Sequence, residues 1–329
     1  MASLVAAFGT SHSPALNSPA EDFPGHVRRD EQFQHHLDRE GRRITYQQLV
    51  RDADPSIARQ IEPSAIAKRV AACDAHIGKL KSRVAAARLD GLVIVGDDQR
   101  EQYFADNMPA FLVYGGETIR NMPLPPRDDS PAYWRRARAQ YHEIEAPREY
   151  PVAAALARHM VEQLVEHDFD VSYSNALSQE RGEGHAFGFV HRRLLDDAPL
   201  PIVPIVVNTY YAPNQPRPRR CYRFGQALRA AIESWPQDER VGIIASGGLS
   251  HFTIDEELDR LLLSSLSESN HEALAAIPTA KLNSGSSEIR NWIVVAGAAE
   301  RLKTQWQEYV PLYRSPAGTG CGMAFAAWG

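Results

Sequence analysis

The stretch Ser3-Leu4-Val5-Ala6-Ala7-Phe8-Gly9-Thr10-Ser11-His12-Ser13-Pro14 decides the fold. Leu4 to Phe8 is a short apolar run with no Lys or Arg ahead of it. It empties into a small polar turn instead of a cleavage site, so it reads as a first buried strand and not as a leader segment. Further runs of the same kind lie at Leu92 to Val95, Asp170 to Tyr173, Ile202 to Val207 and Val241 to Ala245. Between them the period changes to that of helices. Ile66, Val70, Cys73, Ile77, Leu80 and Val84 recur at spacings of three and four within Ile66 to Leu89, and Val152, Leu156, Met160 and Leu164 do so up to His167. Gly225 to Ser234, Asp255 to Leu266 and Ser287 to Ala299 read as further helices. Strands alternating with helices predict an α/β protein whose central mixed sheet is flanked by helices.

With 329 residues the chain has room for one large domain or two ordinary ones. No internal repeat and no low-complexity linker divides it, so a single domain over residues 1–329 is expected. Two stretches read as insertions, Asn17 to Pro63 and Asn107 to Tyr150; both are polar, irregular and Pro-bearing, in the manner of lids, binding loops or subunit contacts. Apolar residues make up 43% and charged residues 23%, and no window approaches the ~20 apolar residues of a membrane span. A net charge of −5 with dispersed basic residues argues against nucleic acid as a partner. Cys73, Cys221 and Cys321 are too widely spaced for a disulfide framework or a zinc pair, and a reducing cytoplasm suits them.

Open α/β sheets place ligands in the turns beyond strand ends, so titratable residues there carry the functional reading. They are His12 in Gly9-Thr10-Ser11-His12-Ser13-Pro14, the run Gly96-Asp97-Asp98-Gln99-Arg100-Glu101, His251 in Ser246-Gly247-Gly248-Leu249-Ser250-His251-Phe252, and Glu288 in Asn283-Ser284-Gly285-Ser286-Ser287-Glu288. Each has a purely structural reading. A His in a turn is commonly a hydrogen-bonded surface residue, Glu in a first helical turn complements the helix dipole, and Asp after a strand caps a helix. Their coincidence on one sheet edge points instead to imidazole and carboxylate around open coordination positions, the requirement of Fe(II) oxygen chemistry.

Taken in order, Thr10-Ser11-His12-Ser13-Pro14, Ser246 to His251 and Ser284 to Glu288 with Trp292 beyond resemble the signature segments of the type III extradiol ring-cleavage dioxygenases, the group of the protocatechuate 4,5-dioxygenase β-subunit and 3-O-methylgallate dioxygenase. Val207-Asn208-Thr209-Tyr210, then Arg220-Cys221 and Gly225 to Ser234, are similar to the strand, loop and helix that precede the catalytic His of that family. The resemblance implies that His12 and Glu288 are iron ligands and His251 the acid/base residue. It also implies that His185, in Gly182-Glu183-Gly184-His185, is a second active-site histidine touching substrate, with Tyr210 and Tyr211 as ring contacts. The cofactor implied is Fe(II), the partners a small aromatic substrate and O2, and the assembly a homodimer whose insertions cover the site in place of a helical partner subunit.

Two departures from the family pattern stand out. Where the family has its other His ligand, this chain reads Asp97-Asp98-Gln99. A neutral amide is a weaker donor than imidazole, which leaves three solutions open: Gln99 ligates, Asp98 or Glu101 turns inward, or His35 or His36 is imported. Near the C-terminus, Arg314-Ser315-Pro316-Ala317-Gly318-Thr319 looks like the substrate-binding Pro-Ala-Ser segment with Gly318 in place of the Ser, which leaves Thr319 as the hydroxyl for substrate and a gallate, a methylgallate or a related substituted catechol as the expected ring. The expected reaction is extradiol opening of that ring to a semialdehyde-type product. An iron-dependent oxygenase of a non-catecholic substrate, suggested by Gln99, and a non-catalytic binding protein on the same fold are the alternatives.

Overall fold

Parallel strands bury both faces, and the strand runs of this chain behave accordingly: every residue of Gly91–Asp97 and of Ile202–Val207 is buried. The computed structural model describes residues 1–125, 129–178, 181–195 and 200–329. Eight strands form its main sheet: β1 (Ser3–Thr10), β2 (Gly91–Asp97), β3 (Phe111–Tyr114), β4 (Ser172–Ser174), β5 (Ile202–Val207), β6 (Arg240–Ser246), β7 (Thr304–Tyr313) and β8 (Gly320–Trp328). Their spatial order is β7-β8-β1-β6-β2-β5-β3-β4. The middle four, β1, β6, β2 and β5, are mutually parallel, while β8, β7 and β3 join antiparallel to their inner neighbours. The sheet is therefore mixed, and the C-terminal ends of the four middle strands share one edge.

Helices cover both faces. Among the described helices, those that matter for the site are, in chain order, α1 (Phe23–Gln32), α2 (Pro63–Ala86), α3 (Ala132–Ala139), α4 (Ala154–Glu166), α5 (His185–Val190), α6 (Pro218–Glu233), α7 (Glu256–Ser267) and α8 (Ile289–Ala298). The pleat sorts each strand between two cores. Val93 and Val95 pack with α4, α6 and α8, whereas Leu92 and Ile94 pack with Ile77, Leu80 and Val84 of α2. Pro218 at the first turn of α6 and the Asp255 carboxylate accepting from the Leu258 amide at the start of α7 fix where those helices begin. Among the described residues no helix is long and apolar enough to cross a membrane.

Three strands differ from the sequence expectation. Phe111–Tyr114 lies in the stretch read as the second insertion, yet it pairs with β5 in the main sheet. Thr304–Tyr313 mixes Gln and Glu with apolar residues, and Gly320–Trp328 is Gly- and Ala-rich, so neither shows the β-branched run expected of a buried strand. The small residues of β8 have a packing reason: a side chain on Gly322 would overlap the Asp259 carboxylate, which is buried against it. The first insertion is ordered as α1, a short ribbon of His36–Leu37 with Arg43–Ile44, and a helix over Tyr46–Asp52.

α8 crosses α6 with its backbone close by, and no side chain fits between them. A Cβ on Gly225 would overlap the Val294 carbonyl oxygen, and one on Gly297 would overlap that of Tyr222. Because α8 continues directly from Glu288, this contact sets the depth of the site. Gly225→Ala is expected to destabilise the protein by about 1–3 kcal/mol through overpacking, read as a lower midpoint in urea unfolding; an unchanged midpoint would show that the helices can separate freely.

Candidate metal and acid/base site

β1 ends at Thr10, and two residues later His12 turns into the fold with 5% of its surface exposed. Its Nδ1 stands 3.0 Å from Ser246 Oγ at the end of β6. Ser246 donates its only proton to the Ala186 carbonyl at 2.7 Å, so its oxygen accepts from His12 Nδ1–H. The lone pair is thereby left on Nε2, which is buried, has no hydrogen-bond partner and lies 3.6 Å from Glu288 Oε2. Burial, then the neighbouring His185, pulls the His12 pKa down to about 3, so the ring is a neutral donor.

Glu288 closes the 3₁₀ turn Ser284–Glu288 at the mouth of α8 and is 1% exposed. Its Oε2 accepts the Gly248 amide at 2.7 Å; its Oε1 accepts Tyr210 Oη at 2.9 Å and His251 Nε2 at 3.2 Å. Burial alone would raise its pKa, but His251, His12 and His185 hold it down to about 2. His251 Nδ1 faces the Leu249 carbonyl at 2.8 Å and must donate to it. With Nε2 facing Glu288 as well, the ring holds two protons; burial opposes that charge, and the Glu288 carboxylate more than offsets it, raising the pKa well above 6.5. Gly285 and Gly248 leave room for this ring. A Cβ on Gly285 would overlap it, and one on Gly248 would lie 2.7 Å from its Cε1.

His185 opens α5. Its Nδ1 lies 2.6 Å from Glu101 Oε2, and its backbone amide donates to Glu101 Oε1 at 3.0 Å. Burial lowers its pKa, but Glu101, then Asp97 and Glu288, reverse this and bring it to about 10. Asp97 ends β2 at 1% exposure, and desolvation followed by the Glu288 charge raises its carboxyl well above the usual range. One donor atom each from His12, Asp97, His185 and Glu288 lie within 4.8 Å of one another, a possible metal site. The orphaned Nε2 of His12 and the penalty on ionising Asp97 are both relieved by a cation there, so these residues fit a divalent metal.

The sequence-predicted residues separate clearly. His12, Gln99, His185, Tyr210, His251 and Glu288 line one cavity of about 250 Å³. In it, the Gln99 NH2 lies 3.2 Å from Glu288 Oε1, 3.3 Å from Tyr210 Oη and 3.5 Å from Asp97 Oδ2, with His185 Nε2 3.4 Å away, so the positive end of its dipole is turned toward the buried carboxylates. Asp98 does not turn inward: its carboxylate accepts the backbone amides of Gln102 and Tyr103. Glu101 is spent on His185. His35 and His36 line a different cavity, where His36 bonds the Asp30 carbonyl. Tyr211 lies under Arg100, 4.5 Å from its guanidinium, away from the cavity wall.

Thr319 also departs from expectation. It is fully buried behind the wall, and its hydroxyl donates to Asp30 Oδ2 at 2.6 Å. Sequence reasoning did not single out Asp97 as a donor, Ser246 as the group that orients His12, or Arg29, Trp134 and Arg314 in the cavity wall. Asp97 had a signal, since it is the last residue of a buried strand and opens the acidic turn already noted.

A family model described as the catalytic LigB subunit of aromatic ring-opening dioxygenase matches residues 137–324, more than half of the chain and the part that holds His185, Tyr210, His251 and Glu288. A gallate dioxygenase of Pseudomonas putida is 40% identical over 111 residues, 32% of this chain and 31% of that protein. A 2,3-dihydroxyphenylpropionate/2,3-dihydroxicinnamic acid 1,2-dioxygenase of Xanthobacter autotrophicus is 25% identical over 182 residues, 55% of this chain and 50% of the relative. A similarly named protein of Dechloromonas aromatica is 26% identical over 185 residues, 56% and 51%. The chain thus spans a third to a half of the length of these relatives.

Ser246→Ala removes the acceptor that fixes the His12 tautomer and is expected to weaken divalent-cation binding about 10- to 100-fold, measured by titrating the apoprotein with Co(II). A change below about twofold would mean that His12 Nε2 is not a donor.

Proposed function

The chain belongs to the family of the catalytic LigB subunit of aromatic ring-opening dioxygenase, and from that premise we propose that it is a non-haem Fe(II) enzyme that opens a catecholic ring with O2 next to the diol. The observation that carries the reading is the free Nε2 of His12 facing Glu288 in a cavity shared with His185 and His251. We assign His12, His185 and Glu288 as the residues that would hold the metal, two imidazoles and one carboxylate, with Asp97 as a fourth donor beside them. In this assignment His185 supplies the imidazole that the β2 turn, with Gln99, does not. Each proposed ligand has its own orienting partner: Ser246 for His12, Glu101 for His185, and the Gly248 amide for Glu288.

Fe(II), held by His12, His185 and Glu288, would supply the electron transfer between ring and O2. The chain's own residues do the rest. His251 is fixed through Nδ1–H on the Leu249 carbonyl; a cation on Glu288 would offset the charge that keeps its Nε2 protonated, and Nε2, once free of that proton, takes one from a phenolic hydroxyl and returns it as the ring opens. Tyr210, 2.9 Å from Glu288, holds that carboxylate in place and edges the ring's pocket. The substrate we propose is a gallate, methylgallate or related catechol, a reading supported by the name of the Pseudomonas relative. We place the enzyme in the cytoplasm as a homodimer; Ile144, an apolar side chain 79% exposed in the second insertion, supports a subunit contact there.

Anaerobic Fe(II) reconstitution followed by O2 uptake with gallate, methyl gallate, protocatechuate and catechol tests the reading. About one iron per chain is expected in the wild type, with loss on His12→Ala and on His185→Ala and retention on Gln99→Ala. Loss on Gln99→Ala with retention on His185→Ala would make the amide the ligand and reject the assignment of His185. Iron bound without O2 uptake on any of the four rings would reject catechol cleavage.

A further inference from the structure

The cavity has a second charged wall that the metal and acid/base residues do not explain. α1 and α3, from the two insertions, meet there: the Arg136 guanidinium pairs with Asp22 at 2.5 and 3.0 Å, and the Arg29 guanidinium stacks on Trp134 with its carbon 3.7 Å from the ring centroid. Arg314, just past β7, lines the same wall. Asp30 is the carboxylate next to Arg29 in sequence, but both its oxygens are committed elsewhere. Oδ1 and Oδ2 accept Arg314 at 2.7 and 2.8 Å, and Oδ2 also accepts Thr319 Oγ1 at 2.6 Å. Among the described residues, Arg29 has ring contacts with Trp134 and Phe33 and no hydrogen-bond or ion-pair partner. It is half-buried and lines the cavity, with donors that no carboxylate bonds; the Asp30 carboxylate acts on it only at a distance.

We propose that Arg29 is a specificity-determining residue that binds a carboxylate carried by the aromatic substrate, with Arg314 held beside it by Asp30 and Thr319. The inference rests on the ring-opening reading and names the substituent that this chain selects. A guanidinium flat on an indole keeps its edge donors in plane, the arrangement that matches the two oxygens of a carboxylate. Stacking also restricts its rotamers before the substrate arrives, which reduces the ordering cost of binding. A cavity of about 250 Å³ suits one ring with a short acid and leaves little space for a longer chain. Thr319 then acts at one remove: its hydroxyl holds Asp30, Asp30 holds Arg314, and neither hydroxyl nor carboxylate touches the substrate.

The test compares an acid with its neutral ester. For the iron-loaded enzyme, Arg29→Gln is expected to raise KM for gallate roughly ten- to a hundredfold while kcat stays within about twofold. KM for methyl gallate should hardly change, and Arg29→Lys should recover part of the loss for the acid. Equal losses for acid and ester, or no loss for either, would overturn the assignment. If no catechol is opened by the wild type, the ring-opening reading fails separately, and calorimetry with 3,4,5-trimethoxybenzoate and its methyl ester decides this one. Tighter binding of the acid by wild type than by Arg29→Gln, by tenfold or so, upholds it; equal affinities overturn it.

Discussion

A carboxylate in a dry interior loses its water, and several kcal/mol with it, unless other groups take the water's place. Glu288 is in that position, and much of the chain is arranged around it. The Gly248 amide, the Tyr210 hydroxyl and the His251 ring each approach one of its oxygens, with His12 and the Gln99 amide close by. These five groups come from four separate segments, so the charge can be buried only when all four have assembled around it. The same buried charge orders the protonation of its neighbours: it keeps His251 doubly protonated and raises the cost of ionising Asp97. A site of this kind is electrostatically unfinished without a cation.

The sheet makes the assembly possible. β1, β6, β2 and β5 run parallel, so Thr10, Ser246, Asp97 and Val207 end on one edge, and the turns beyond them carry His12, Gly248, Gln99 and Tyr210. α8 then brings Glu288 over that edge. Arg290, two residues on and fully buried, donates to the carbonyls of Pro216, Leu282, Thr209 and Ser287. One guanidinium therefore ties the segment leading to Tyr210 to the turn bearing Glu288, without a counter-carboxylate that would compete with the site.

How much of this was legible in the sequence follows from the same physics. Fully buried parallel strands must be apolar along their whole length, so Leu92 to Val95 and Ile202 to Val207 were readable, and so were the turns that hold His12 and His251. β8 was not, because its Gly and Ala residues are chosen by what packs on them, Asp259 against Gly322 for example, and such contacts are invisible until the chain is folded. Residues that answer to a strand end or a helix start, such as His12, His251 and Glu288, could be located from the sequence. Residues whose role depends on a partner far away could not. Thr319 reads as a hydroxyl for a ligand and proves to be a hydrogen bond to Asp30, 289 positions earlier; Asp98 reads as a donor and proves to hold its own turn.

That long-range bond bears on how the site is closed. α1 is tied to the C-terminal turn through Asp30, Arg314 and Thr319, and to α3 through Asp22 and Arg136. Asp30 is buried, so the Arg314 pair is shielded from the solvent and salt that weaken surface ion pairs. Opening α1 away from the sheet would expose an unpaired carboxylate and guanidinium that are now satisfied in a dry setting, a large cost compared with the motion of an untethered loop. The wall carrying Arg29 is thus part of the folded domain and not a loose lid over it. A wall fixed in that way can position a guanidinium at a constant distance from the buried carboxylate, and a constant distance between two recognition points is what allows a cavity to measure one ring against another.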